Sequence, residues 1–244
     1  MPNALREISG ISFHKGIRDT IYAEEDENGT VFHFKLGDPQ IQTTRFFGKG
    51  DFEDITICND FVIMLRSDGL LFSFPLAETR NEKVKQLNQF DKLLPSGEFE
   101  GLSSIDATSK IYVLCKHCEG TKTKKWGGGY IFQLDKTGQL TAAGNFEIDV
   151  RKIESLTSNR RIEFHPSALT WRQSSREWYI LSSVNKILVI ADENWQIKSV
   201  YPLNPSLFPQ PEGIKFDQQQ NLYISNERNQ SPNATILFFP LKLK

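Results

Sequence analysis

Cysteine is scarce in this chain: Cys58, Cys115 and Cys118 are its three cysteines in 244 residues, too few for a disulfide scaffold. Long apolar runs are missing, since no stretch approaches the roughly 18 residues that span a bilayer as a helix. An excess of either charge is missing too. Lys and Arg number 29 against 30 Asp and Glu, a formal net charge of -1, which excludes the basic face expected of a nucleic-acid binder. Met1-Pro2-Asn3 opens without a basic-then-apolar leader, which fits a cytoplasmic protein or a chain cut at the start of its mature domain. Aromatic residues are plentiful. The 18 Phe, 4 Trp and 6 Tyr exclude a disordered chain and supply a full core.

Five segments read alike when stacked: Ile8-Ser9-Gly10-Ile11, Phe52-Glu53-Asp54-Ile55, Phe99-Glu100-Gly101-Leu102, Pro166-Ser167-Ala168-Leu169 and Pro211-Glu212-Gly213-Ile214. Each is Ser or Glu, then a small or Asp residue, then a branched aliphatic. A second apolar run follows each motif, as in Phe61-Val62-Ile63-Met64-Leu65, and then a third, as in Leu70-Leu71-Phe72-Ser73-Phe74. Turn residues separate the second and third runs in four repeats: Asn28-Gly29, Asp68-Gly69, Gly127-Gly128-Gly129 and Asn185. Short β-branched and aromatic runs repeating at about 45 residues predict propeller blades of roughly four strands. The reading is therefore an all-β, single-domain, five-bladed β-propeller over 1–244, with about four antiparallel strands per blade and blades beginning near residues 8, 52, 99, 166 and 211. The long third interval carries extra residues in the basic loop 121–125 and in 148–163, where Asp149 to Leu156 suits a short helix or turn. The fifth repeat lacks a fourth strand after Leu241, leaving an edge that Asn3-Ala4-Leu5-Arg6 or a preceding segment would close.

The innermost strand of a blade runs along the central channel, and its antiparallel neighbour returns to the same mouth. Ser9, Glu53, Glu100, Ser167 and Glu212 are thus expected to ring the axis, surrounded by Glu24, Glu25, Arg66, Lys116, Ser182, Ser183, Asn226 and Glu227. Six carboxylates would face two cations there. At about 6 Å and an effective dielectric of about 20, each like-charge pair costs roughly 3 kcal/mol. A bound cation would relieve this, and three carboxylates with hydroxyl oxygens suit Ca²⁺. Zn²⁺ would want His or Cys. The alternative is salt bridging of Glu53 with Arg66 and of Glu100 with Lys116, which leaves Glu212 unmatched.

The ordered set of strings around these residues, including Glu7-Ile8-Ser9-Gly10-Ile11, Gln210-Pro211-Glu212-Gly213-Ile214 and Leu222-Tyr223-Ile224-Ser225-Asn226-Glu227, resembles the SdiA-regulated domain family of bacteria. That resemblance covers nearly the whole chain. It implies a β-propeller, extracytoplasmic in the periplasm or cell envelope and often lipoprotein- or membrane-anchored, with relatives labelled esterase-like or phytase-like. The axial order Ser, Glu, Glu, Ser, Glu is also similar to that of the calcium-activated nucleotidases (apyrases), five-bladed propellers with a central Ca²⁺. This similarity implies Ser9, Glu53, Glu100, Ser167 and Glu212 as the matching ligands. Those enzymes carry an acidic, Arg-containing turn at the position of Glu25-Asp26-Glu27-Asn28-Gly29, and here the Arg is missing.

Cys115-Lys116-His117-Cys118 is a lone C-x-x-C pair at a strand end. A zinc site would need a second pair and a redox site a helix start, so an incidental thiol pair or a local disulfide is expected. Lys122, Lys124 and Lys125 read as a solvated loop. His33, between Phe32 and Phe34, is expected to face solvent, whereas His117 and His165 fall near the mouth, where either could serve as a general base. Gly127-Gly128-Gly129 reads as a turn, since no Lys-Ser/Thr or helix follows it.

Two functions fit. The first is a monomeric binding module, with Ca²⁺ pinning the mouth where a small molecule or protein docks on Glu24, Ser183, Asn226 and Glu227. The second is a Ca²⁺-dependent phosphoester or ester hydrolase, in which Arg66 and Lys116 hold the anion and Glu25 or His165 is the base.

Overall fold

In the computed structural model, the described residues are 3–118, 125–157, 162–228 and 233–241. They form five antiparallel sheets in chain order. The first holds β1 (Ile8–Ser12), β2 (Ile21–Glu25), β3 (Asn28–Phe34) and β4 (Ile41–Lys49); the second holds β5 (Phe52–Cys58), β6 (Phe61–Arg66), β7 (Leu71–Pro75) and β8 (Asn88–Phe90). In the third are β9 (Gly97–Ile105), β10 (Lys110–Cys118), β11 (Trp126–Leu134) and β12 (Leu140–Asp149), followed by α1 (Val150–Leu156). The fourth holds β13 (Ala168–Arg172), β14 (Glu177–Ser182), β15 (Ile187–Asp192) and β16 (Ile197–Pro202), and the fifth β17 (Pro211–Phe216), β18 (Leu222–Asn226) and β19 (Thr235–Phe239). Strands β1, β5, β9, β13 and β17 each touch the next, and β17 touches β1, so the ring closes as a five-bladed β-propeller.

The small residue of the repeated motif is explained at this ring. A Cβ on Gly10 would fall on Asp54 Oδ1 and lie 2.6 Å from the Ile55 nitrogen, and one on Gly213 would strike Ser225 Oγ and the Ser9 carbonyl. The inner strands approach too closely for a larger side chain. Asp54 replaces the small residue in the second blade, where its carboxylate accepts the Ile55 and Leu102 amides at 2.8 and 2.6 Å and ties blade two to blade three.

Apolar burial falls at the five seams between blades. Phe46 of the first blade meets Phe52, Phe72 and Phe74 of the second, while Tyr112, Leu114 and Phe146 of the third meet Leu169, Trp178 and Ile180 of the fourth. The helix expected over 149–156 is α1; Asp149 caps it by accepting the Arg151 amide at 3.0 Å, and Ile153 is buried beneath it.

Among the described residues, no strand is shared across the seam between the fifth and first blades. Asn3–Leu5 is a 3-10 turn and adds no strand to the fifth sheet. Leu5 is fully buried against Tyr223 and Ala234, the Arg228 amide donates to the Arg6 carbonyl at 2.8 Å, and Ser225 Oγ donates to the Ser9 carbonyl at 2.7 Å.

Three local expectations are corrected. Gly127, Gly128 and Gly129 are not a turn: they lie in β11, where Gly129 lets Val113 and Phe146 close in from both sides. Asn28 and Gly29 open β3. His33 does not simply face solvent but meets the Thr79 carbonyl at 2.9 Å, and its burial lowers the imidazole pKa. Lys122 and Lys124 lie outside the described residues. No helix among the described residues is long and apolar enough to cross a membrane.

Candidate functional site

Inner strands starting at one mouth bring the lead residues of three blades into one electrostatic field. Burial pushes the Glu53 carboxyl up to about 10, helped by Glu100, Asp51 and Glu212. Burial likewise raises Glu212 to about 8, with Glu100 and Glu227 adding repulsion and Ser183 opposing it by a hydrogen bond. Glu100 is raised by burial, although the Lys116 ammonium works against the rise. The acids are thus assembled about the axis, at a free-energy cost to their ionised forms.

Lys116 is the ammonium that answers this charge. It pairs with Glu100 Oε1 and lies 3.0 Å from Glu98 Oε1, and these carboxylates raise its pKa although burial opposes them. Glu98 in turn meets His117 Nδ1 at 2.6 Å. Arg66 does not reach Glu53: its guanidinium binds Asp68, two residues on, through Nε at 2.8 Å and Nη2 at 2.6 Å. The salt-bridge alternative therefore holds for Glu100 and not for Glu53.

The remaining lead residues help brace the blades. Ser167 Oγ donates to the Pro211 carbonyl at 3.0 Å and accepts the Ser183 amide at 3.2 Å, which leaves it one lone pair. Ser9 is buried, and its carbonyl accepts the Ser225 hydroxyl. Glu24 is fully buried: Oε1 accepts the Gly10 amide at 2.6 Å, Oε2 has no partner, and burial holds its pKa well above the carboxylate range. Asn226, 1% exposed, also keeps Oδ1 without a partner. Glu25 spends its carboxylate on the β2–β3 turn, accepting the Glu27 and Asn28 amides at 3.1 and 2.9 Å.

Sequence reasoning missed a second acidic group. Among the described residues, the three carboxylates whose oxygens all lie within 4.8 Å of one another are Glu7, Glu25 and Asp26, not the axial three. Burial and the neighbouring carboxylates raise Asp26 to about 6, and burial with Asp26 and Glu7 raises Glu227 to about 7. Glu7 precedes β1 and Asp26 follows β2, so only the hairpin register joins them, and spacing along the chain gives no sign of it.

Beside the acids lies a cavity of about 360 Å³ lined by Lys116, His117, His165, Trp126, Phe164 and the Cys115–Cys118 disulfide. The His117 and His165 rings sit 5.1 Å apart, and burial with the nearby His117 lowers the His165 pKa. Two β-bulges in the β9–β10 ladder, around Cys115, bring the two cysteine Cα atoms to 5.9 Å. The local disulfide is thus present, and the two histidines expected near the mouth do meet.

This ring of five sheets, with Glu53, Glu100 and Glu212 at one mouth, defines the chain as a β-propeller. The chain belongs to the SdiA-regulated family, whose model matches residues 1–238. No curated protein sequence matches it. Solved structures share its fold at low identity. Glutaminyl cyclase from Myxococcus xanthus has a TM-score of 0.62 at 13% identity, over 99% of this chain and 94% of that one. A luciferin-regenerating enzyme has a TM-score of 0.54 at 8% identity, over 96% and 91% of the two chains. A chain of the nidogen/laminin complex has a TM-score of 0.57 at 13% identity, over 96% and 76%.

Proposed function

We propose that this propeller is an extracytoplasmic binding module whose acidic mouth takes a calcium ion and presents it, with the mouth residues, to a small-molecule or protein ligand. The observation that carries this reading is the crowding of Glu53, Glu100 and Glu212 about the axis, where Glu53 and Glu212 reach about 10 and about 8. A hard cation would let all three ionise. Carboxylates from blades two, three and five would hold it, with Ser9, Ser167 and the unpartnered oxygens of Glu24 and Asn226 in reserve. The axial acids would draw in around the ion and Glu100 would exchange Lys116 for it. The disulfide supports an oxidising compartment.

The hydrolase reading draws on the cavity beside the acids, where His165 could act as base. Arg66 is engaged by Asp68, Lys116 by Glu98 and Glu100, and Glu25 by its own turn. The groups assigned to hold an anion are thus already paired, which favours the binding module.

The test is a thermal melt of EDTA-stripped protein titrated with calcium, with magnesium as control. Ligand at a hundredfold over Kd adds about 2.7 kcal/mol, several degrees at this chain length. A calcium-selective rise abolished by Glu53→Gln is expected. An unchanged melting point would remove the cation from the reading.

A further inference from the structure

The end of the channel away from the acids holds a lysine that the cation reading does not use. Lys215 lies on inner strand β17, three residues beyond Glu212, partly buried, and it forms part of the wall of a cavity of about 280 Å³. Ile57, Ser104 and Trp171 from the far ends of neighbouring inner strands, Asp106 just after β9, Phe13 just after β1, and Phe216 beside Lys215 on β17 line it with the lysine.

The hydrogen bonds around Lys215 fix the direction of each proton. Ser104 Oγ lies 3.0 Å from the Ile57 carbonyl, which can only accept, so Ser104 donates there. Thr56 and Ser104 hydroxyls meet at 2.9 Å, so Thr56 must donate to Ser104. Thr56 Oγ1 can then only accept from Lys215 Nζ at 3.1 Å. Among the described residues, Thr56 engages one N–H of the lysine, and the nitrogen lone pair of the neutral amine is left unengaged.

We propose that Lys215 is a nucleophilic amine that takes a small aldehyde or ketone from this cavity as an imine. The nitrogen lone pair attacks the carbonyl carbon to form the N–C bond, and the carbonyl oxygen becomes a hydroxyl on the carbinolamine. Loss of that hydroxyl with a proton as water completes the C=N bond, with no change of oxidation state. Asp106, on the same wall, supplies a carboxyl to carry the proton. Trp171, Phe216 and Ile57 make the body of the cavity apolar, which fits an aromatic or short aliphatic carbonyl compound.

The protonation balance agrees with this geometry. Asp54, Cys58 and Asp106 face Lys215 and favour its ammonium form, but burial outweighs them and lowers its pKa. Cys58 does not line the cavity: it is fully buried in the core between blades two and three, where burial raises its thiol to about 12. The site lies at the other end of the channel from the proposed cation and shares none of its ligands.

The experiment treats the intact protein at pH 7 with benzaldehyde and sodium cyanoborohydride, then maps benzylated lysines by peptide mass spectrometry over time. Because burial leaves more of Lys215 than of an exposed lysine as the free base, Lys215 is expected to be labelled faster than the exposed lysines. Labelling of Lys215 no faster than the rest overturns the proposal. Absence of a Lys215 adduct while exposed lysines are benzylated would also overturn it, leaving the residue as a paired ammonium. Lys215→Met should lose the fast adduct, and the wild-type map decides the question even where that variant fails to fold.

Discussion

Glu212→Gln gives a prediction whose sign depends on the conditions. In the folded chain the Glu212 carboxyl sits at about 8, against 4.5 for a free glutamate. A carboxyl raised in this way favours folding fully below about pH 4.5, and its contribution is lost as pH climbs toward 8. Holding it protonated at pH 7 costs about 3 kcal/mol at about 1.4 kcal/mol per pH unit. Glutamine keeps the size, can accept the hydrogen bond from Ser183 and needs no proton. In EDTA at pH 7 the variant should therefore melt several degrees above wild type, since one kcal/mol is worth roughly 2–4 °C at this length. At pH 5 the gap should shrink to under about 1 kcal/mol. Saturating calcium should reverse the order, because only wild type offers the third carboxylate. Differential scanning calorimetry across pH 5–8, with and without calcium, reads all three arms. A variant less stable than wild type in EDTA at pH 7, or a gap that ignores pH, would refute the assignment of a crowded axial carboxyl.

The other expectations test neighbouring parts of the argument. Lys116→Met frees Glu100 from its ammonium, so calcium affinity measured by calorimetry should rise while the metal-free protein loses stability. Leu5→Ala removes a fully buried side chain from the closing seam and should cost about 2–5 kcal/mol in urea denaturation. Reducing the Cys115–Cys118 clip, or replacing both cysteines with Ser, should cost about 2 kcal/mol, since the loop it closes is short. Gly10→Ala forces a methyl against Asp54 and the Ile55 amide, so the loss of melting temperature should exceed that of an Ala substitution at Gly48, where a Cβ meets nothing within 4 Å.

The blades could be read from the sequence because each is contiguous and its inner strand repeats one short motif. The position of Glu53, Glu100 and Glu212 followed from that motif alone. Side-chain pairing followed in part: Glu100 meets Lys116 as expected, but Glu53 does not meet Arg66. Arg66 is captured by Asp68 within its own turn, a local bidentate contact that outcompetes the longer reach to Glu53. Glycines at 127–129 resemble a turn in one dimension, yet they serve a strand squeezed between β10 and β12. Lys215 and the Thr56–Ser104 hydroxyls are drawn together from blades two, three and five, a neighbourhood that no local spacing encodes.

The closing seam sets an order of events for the chain. Four seams join blades adjacent in sequence, whereas the Ser225–Ser9 contact unites residues 216 apart. Loop closure of that length is the slowest part of assembly to become favourable, so an open crescent of blades should precede the ring. The fifth seam then behaves as a latch, made of an apolar cluster around Leu5, Ile8, Phe13 and Tyr223 and a few hydrogen bonds. An ion held jointly by Glu53, Glu100 and Glu212 would span the crescent from its second blade to its last. Its binding would pull the latch shut, so that amide exchange along β1 and β17 should slow together when calcium is added.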